Sequence, residues 1–235
     1  MTSKNSNLII GRHAVESALT RGKREVCEVW FARNDDPLKK LAESRGIRVV
    51  GKDRKEFDRC FPGRAHQGVA ARVGILPKLM LEDMLEADLL LLLDRVTDPH
   101  NLGAILRSAD AFGCGAVIVP AYHRAPVTEV VAKAASGALE TVPLIEVVNL
   151  NQAIEKLKKH EYWIIGLDST ATEELASIPR SRKIALVVGS EGRGLRHLVA
   201  RNCDLIARLP MLGTVESLNV SVAAGIALYE LRRTP

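Results

Sequence analysis

Two runs of five apolar residues, Leu89-Leu90-Leu91-Leu92-Leu93 and Ile184-Ala185-Leu186-Val187-Val188, constrain this chain more than any other feature. Each is far too short to cross a membrane, which takes about 20 apolar residues as a helix. Neither alternates with polar residues, so neither fits a sheet with one wetted face. A strand without a polar side has to be covered on both faces, as in a parallel sheet packed between helices. Both runs also lead through a polar or glycine-rich loop into a helical pattern.

The same rhythm extends to either side. Strands are predicted at 89–93, 116–119, 142–146, 162–167, 184–188 and 205–209, with helices at 102–112, 128–138, 150–159, 195–201 and 218–232. Strands alternating with helices make this part α/β, with a mostly parallel sheet covered on both faces. A smaller alternation precedes it. Leu8-Ile9-Ile10 reads as a strand, His13 to Thr20 as a helix, and Val26 to Phe31 as a strand with Val26, Glu28 and Trp30 opposed to Cys27, Val29 and Phe31. A helix follows from about Asp36, with Pro37 early and Gly46 as its stop. A strand at 47–50, a short helix around Phe57 and a strand at 68–73 complete a compact α/β unit. The expected division is 1–73, a linker at 74–87, and a larger domain at 88–235.

Charge separates the two parts. The net charge is +5, yet residues 1–74 carry 16 Lys/Arg against 9 Asp/Glu, and residues 75–235 carry 17 against 19. The excess positive charge therefore lies in the first third, where it suits a polyanion or simply forms solvated surface. Aromatic residues make up only 4%, which argues against an extended base-stacking platform and for phosphate and shape contacts with any RNA. Cys27, Cys60, Cys114 and Cys203 form no CxxC pair and no metal-ligand spacing, and they read as small buried hydrophobes in a reducing compartment. With no apolar signal-peptide core and no membrane-length run, a cytoplasmic protein without a metal is expected.

Three segments carry the polar residues that suggest chemistry. The first runs from Leu89 through Asp94, Asp98-Pro99-His100-Asn101 and Gly103 to Arg107 and Gly113. The second, Gly189-Ser190-Glu191-Gly192-Arg193-Gly194, has glycines at relative positions 0, 3 and 5. A dinucleotide fingerprint needs 0, 2 and 5, so a dehydrogenase is excluded, and neither a Walker A sequence nor a GxSxG elbow is present. What remains is a tight turn that lets backbone approach a ligand and carries a carboxylate. The third runs from Pro210 through Gly213 and Ser217-Leu218-Asn219 into an apolar helix. On their own, Asn101 and Ser217 read equally as helix caps, and Arg107 as a surface arginine whose stem covers apolar neighbours. Thr214 and Glu216 have no assignable role.

Together, in this order, the three segments resemble the motifs of the SpoU (TrmH) family of RNA ribose 2′-O-methyltransferases, with the pattern Asn-x-Gly-x-x-x-Arg falling on Asn101, Gly103 and Arg107. The resemblance spans essentially the whole chain and looks closest to members acting on guanosine in bacterial 23S ribosomal RNA. It implies a small ribosomal-protein-like N-terminal domain that binds RNA, and a catalytic domain whose C-terminal segment threads a deep trefoil knot. Periodicity says nothing of that knot, and unknotted connections are the general rule. The resemblance also implies S-adenosylmethionine as cofactor, held by backbone at Gly189, Leu209 and Leu218, and a homodimer in which an arginine from one chain reaches the cofactor of the other. Arg107, Asn101, Glu191, Ser217 and Asn219 match the family's catalytic positions. Glu191 is expected to orient Arg107 or the target ribose, with Ser217 and Asn219 holding the cofactor loop and the substrate. Arg193, Arg196 and Arg208 are open to RNA phosphates or to solvent. The alternatives are methylation of a transfer RNA or another ribosomal site, and a non-catalytic RNA-binding assembly factor, which would not need all five polar residues.

Overall fold

The structure, a computed structural model, describes residues 7–32, 36–179 and 182–233. It divides into two compact units: residues 1–77 together with Ser136–Thr141, and Lys78–Ala135 together with Val142–Pro235.

In the first unit, β1 (Asn7–Ile10), α1 (Arg12–Thr20), β2 (Val26–Phe31), α2 (Pro37–Ser44), β3 (Arg48–Gly51), α3 (Arg54–Cys60) and β4 (Val69–Val73) form a four-stranded sheet of order β1-β4-β2-β3. Asp36 caps α2 by accepting from the Leu38 N–H, with Pro37 in the first turn, and Asp53 and Glu56 close a capping box at α3. Val15, Leu19, Leu38 and Ala42 pack with Val29, Phe31, Val69 and Ala71 on one face, while Trp30, Phe57, Phe61 and Ala70 cluster on the other. The alternation predicted for β2 fails at its start. The pairing register shifts between Val26 and Glu28, and this bulge turns Val26 onto the same side as Val29 and Phe31.

Ser136–Thr141 completes this unit with a charge pair. Arg24 Nε donates to Glu140 Oε2 at 2.7 Å, Arg24 Nη2 donates to Oε1, and Arg24 Nη1 donates to the Gly74 carbonyl at 3.2 Å. Both side chains are buried, 7% and 4% exposed. Removing one partner of such a pair strands the other charge away from water, at a cost of about 3–5 kcal/mol. Glu140→Ala is therefore expected to lower stability by that amount in urea unfolding of the full chain. An unchanged midpoint would show that the pair is solvated.

The second unit is built from β5 (Leu89–Leu93), α4 (Pro99–Ala111), β6 (Ala116–Pro120), α5 (Glu129–Ala135), β7 (Leu144–Val147), α6 (Leu150–Lys159), β8 (Trp163–Leu167), β9 (Glu173–Glu174), β10 (Ile184–Val188), α7 (His197–Asn202), β11 (Leu205–Arg208) and α8 (Val220–Arg232). Its seven strands are all parallel, in the order β7-β6-β5-β10-β8-β11-β9. Both five-residue apolar runs lie near the centre, with every residue buried and Leu91 paired to Leu186. Leu90, Leu92, Ala185 and Val187 face α6 and α7 through Ile154, Leu157 and Val199. The alternate residues point the other way, toward the side formed by α4, α5 and α8, where α4 packs against both α5 and α8. Gly103 allows the α4–α5 contact, since a Cβ there would sit 2.4 Å from that of Ala134.

Several predicted bounds shift. The helix predicted at 102–112 begins at Pro99, the one at 195–201 begins at His197, and the one at 218–232 begins at Val220. The cysteines divide as well: Cys114 is buried and burial pushes its thiol up to about 12, whereas Cys60 is exposed at the end of α3, contrary to expectation. Among the described residues no helix is long and apolar enough to cross a membrane, and no group of three His, Cys, Asp or Glu gathers to hold a metal.

Candidate active site

The three polar segments meet at the carboxyl edge of the parallel sheet, where open α/β sheets bind their ligands. Beyond β10 the chain closes on itself. The Ser190 N–H donates to the Gly194 carbonyl at 3.1 Å and the Gly194 N–H to the Ser190 carbonyl at 2.9 Å, leaving Glu191, Gly192 and Arg193 as a three-residue loop. Gly192 and Gly194 turn it with φ of 76° and 62°. Gly189 is required for a different reason: a Cβ there would lie 2.1 Å from the Gly194 carbonyl carbon.

Asn101 lies in the first turn of α4, but the cap is Asp98, whose carboxylate accepts from the Asn101 N–H at 2.8 Å. Pro99 takes the first helical position, where its missing N–H costs nothing. The Asn101 side chain is thereby free for other partners. Its Nδ2 donates to Glu191 Oε2 at 3.3 Å, and its Oδ1 accepts from Asn219 Nδ2 at 3.1 Å. Asn219 Nδ2 also reaches Glu191 Oε1 at 3.3 Å. Asn219 is itself the cap of α8, accepting from the Ser221 N–H at 2.9 Å and the Ser221 hydroxyl at 2.7 Å; Ser217 caps nothing. One polar residue from each segment thus joins a closed triangle.

Arg107 stands apart. It is exposed on α4, six residues beyond Asn101, and makes no hydrogen bond or ion pair with any described residue. Each carboxylate oxygen of Glu191 accepts from an asparagine amide, and among the described residues of one chain Glu191 makes no contact with Arg107. Of the other arginines, Arg196 Nε is bound to buried Asp94 at 2.7 Å and Arg208 Nη2 faces Glu174 at 3.6 Å, while Arg193 is exposed. His100 is exposed as well.

Beside the triangle lies a cavity of about 380 Å³, within the usual size range for small-molecule sites. Gly189, Leu209, Leu218, Ser217 and Glu191 all line it, together with Val188, Val220 and Ala223. Three carboxylates, Asp168, Glu191 and Glu216, face it against one guanidinium, Arg193. A slot of this size, part apolar and with net negative walls, fits S-adenosylmethionine, whose sulfonium and ammonium outweigh its carboxylate. Asp168 was missed by sequence reasoning; its Oδ1 accepts from the Thr170 N–H at 2.9 Å and hydroxyl at 2.7 Å. The available signal was its place just past β8, on the ligand edge of a parallel sheet. Glu216, left without a role, lines the same cavity.

The chain belongs to the SpoU rRNA Methylase family, whose model matches residues 88–229. Residues 8–78 match a second model, RNA 2'-O ribose methyltransferase substrate binding. The chain is 44% identical to the 23S rRNA (guanosine-2'-O-)-methyltransferase RlmB of Pseudomonas aeruginosa, over 97% of each chain. It is 37% identical to the Putative TrmH family tRNA/rRNA methyltransferase YacO of Bacillus subtilis, over 98% of this chain and 97% of the other. Among solved structures, the AdoMet bound rRNA methyltransferase from Sinorhizobium meliloti shares the fold with a TM-score of 0.79 at 25% identity, covering 97% of this chain and 87% of that one.

Proposed function

We propose that this protein transfers a methyl group from S-adenosylmethionine to the ribose 2′-hydroxyl of a guanosine in 23S ribosomal RNA, as a cytoplasmic homodimer with the threaded trefoil of its family. The observation that carries the chemistry is the Asn101–Glu191–Asn219 triangle beside a cavity with net negative walls. The RlmB relative, similar over nearly the whole chain, supports the choice of RNA.

When bound, S-adenosylmethionine supplies the methyl group: the bond from the 2′-oxygen to carbon forms as the sulfur–carbon bond breaks. Gly189, Leu209 and Leu218 offer backbone groups to its adenine, and the Ser217 hydroxyl is available to the rest of the ligand. The task left to the chain is to align the ribose and manage its proton. Asn101, Glu191 and Asn219 hold the ribose. Arg107 binds a substrate phosphate and stabilises the negative charge that grows on the 2′-oxygen. It stays protonated, because an arginine pKa above ~12 makes a neutral guanidine far too costly; a phosphate oxygen or water takes the proton.

Dimerisation rests on two features. The α8 surface exposes Val222, Ile226 and Tyr229, an apolar stripe suited to a second copy. Arg107 has no hydrogen bond or ion pair among the described residues of its own chain, which supports a role at the cavity of the other. Residues 1–73, with their excess of cations, bind the RNA, residues 74–87 link, and residues 88–235 catalyse.

The test is transfer of isotopically labelled methyl into purified unmodified 23S RNA, 16S RNA and bulk tRNA, followed by digestion and mass spectrometry. Label on a guanosine ribose of 23S RNA is expected. Because the YacO relative is named for both tRNA and rRNA, label confined to tRNA is the outcome that would keep the chemistry and replace the substrate.

A further inference from the structure

Asp94 follows directly on β5 and is 1% exposed. A buried carboxylate is expensive unless fully hydrogen-bonded, and its partners form a pattern. The Asp94 N–H donates to the Val188 carbonyl at 2.8 Å. Its Oδ2 accepts from the Arg196 N–H at 2.9 Å and its Oδ1 from Arg196 Nε at 2.7 Å. Val188 is the last residue before the glycine loop, and Arg196 stands just after it. One residue therefore grips both ends of the segment 189–195. The Ser190–Gly194 pair closes the loop above this grip, and Glu191 projects from the tip.

The far end of the arrangement is tied to the same place. Seven residues after Asp94 comes Asn101, held by the Asp98 cap, and Asn101 meets Glu191 across the loop tip. Both sides of the Asn101–Glu191 contact are thus measured from Asp94. We propose that Asp94, through Arg196, is a positioning residue for methyl transfer, fixing Glu191 against Asn101 and Asn219. It touches neither cavity nor substrate and acts only by fixing the loop. The guanidinium supplies a directional, charge-assisted anchor, which an ordinary apolar contact at the base of the loop would lack.

The inference rests on the methyltransferase reading, so its test has one arm independent of turnover. In the full-length protein, Asp94→Asn keeps an acceptor for the Arg196 N–H but loses the charged pair. Amide hydrogen exchange is expected to quicken at Ser190 and Gly194 while β10 stays protected; unchanged exchange at these two amides would overturn the proposal whether or not any RNA is methylated.

The second arm is a double-mutant cycle on kcat. Asp94→Asn is expected to lower kcat by about 100-fold, the scale of a misplacement near 1 Å, with little change in the KM for RNA. In a Glu191→Ala background the same substitution should change kcat by no more than about twofold, because nothing is left to position. Equal losses in both backgrounds would make Asp94 merely structural. Should Asp94→Asn fail to fold, Arg196→Gln, at a side chain 40% exposed, carries the same cycle. A wild-type protein that labels no RNA would sink the function while leaving the exchange result to decide the clamp.

Discussion

Arg107→Ala is expected to slow methyl transfer by about a thousandfold, the upper range for loss of one donor to a developing oxyanion. The side chain is exposed and has no partner among the described residues, so stability should stay within about 0.5 kcal/mol of wild type and cofactor affinity should hold. That combination separates Arg107 from the residues that build the loop. Arg107→Lys keeps the charge but loses the planar fork that can donate to phosphate and 2′-oxygen together; a wild-type rate and pH–rate profile for it would show that the charge alone suffices. The arrangement across two chains has its own readout. If Arg107 serves the partner's cavity, mixing Arg107→Ala with Glu191→Ala subunits gives hybrid dimers with one intact site, and about a quarter of wild-type activity should return. No recovery after demonstrated subunit exchange would place Arg107 and Glu191 in the same chain's site.

Gly189→Ala should strike the cofactor instead. The new methyl would lie 2.1 Å from the Gly194 carbonyl carbon, 2.3 Å from its oxygen and 2.4 Å from the Leu195 nitrogen. All three are backbone atoms, so no side-chain rotation relieves the clash, and the loop has to open. Strain of about 1–3 kcal/mol spent on the cavity wall corresponds to roughly 5- to 150-fold weaker cofactor binding, measurable by titration calorimetry. Gly192→Ala makes the contrast. Its φ is 76° but nothing lies within 4 Å of the new Cβ, so only the left-handed penalty of about 1–2 kcal/mol applies. Equal effects at both positions would mean that backbone conformation, not the close approach, governs the loop.

The large sheet was legible because its central strands are fully buried. A run such as Leu89 to Leu93 has no polar residue with which to be mistaken for anything else, and both five-residue runs were placed to the residue. Helix starts were less so, because the sequence offers more than one cap. Asp98 and Asn101 are both capping types, and only Pro99, which fits the first helical position, favours Asp98. Likewise Ser217 and Asn219 compete ahead of α8, and the structure uses Asn219. The bulge at Val26–Glu28 has no local signature at all. At the site, the sequence singled out the three residues of the triangle and part of the cavity lining, but not Asp168, and not who contacts whom. Glu191 meets the amides of Asn101 and Asn219, and Asp94 finds Arg196 102 positions away, facts set by the sheet order and not by spacing.

The Arg24–Glu140 pair bears on modularity. The two family models match separate stretches, 8–78 and 88–229, which invites treating the first as a cassette to be expressed alone or grafted elsewhere. Its fold, however, includes Ser136–Thr141, borrowed from within the second stretch. A fragment cut at Pro77 would inherit Arg24 without its counter-ion, and the remainder would carry Glu140 without its host. The boundary visible in the sequence is a seam in the polypeptide but not in the folded unit, so swapping the first unit between relatives should succeed only when residues 136–141 travel with it.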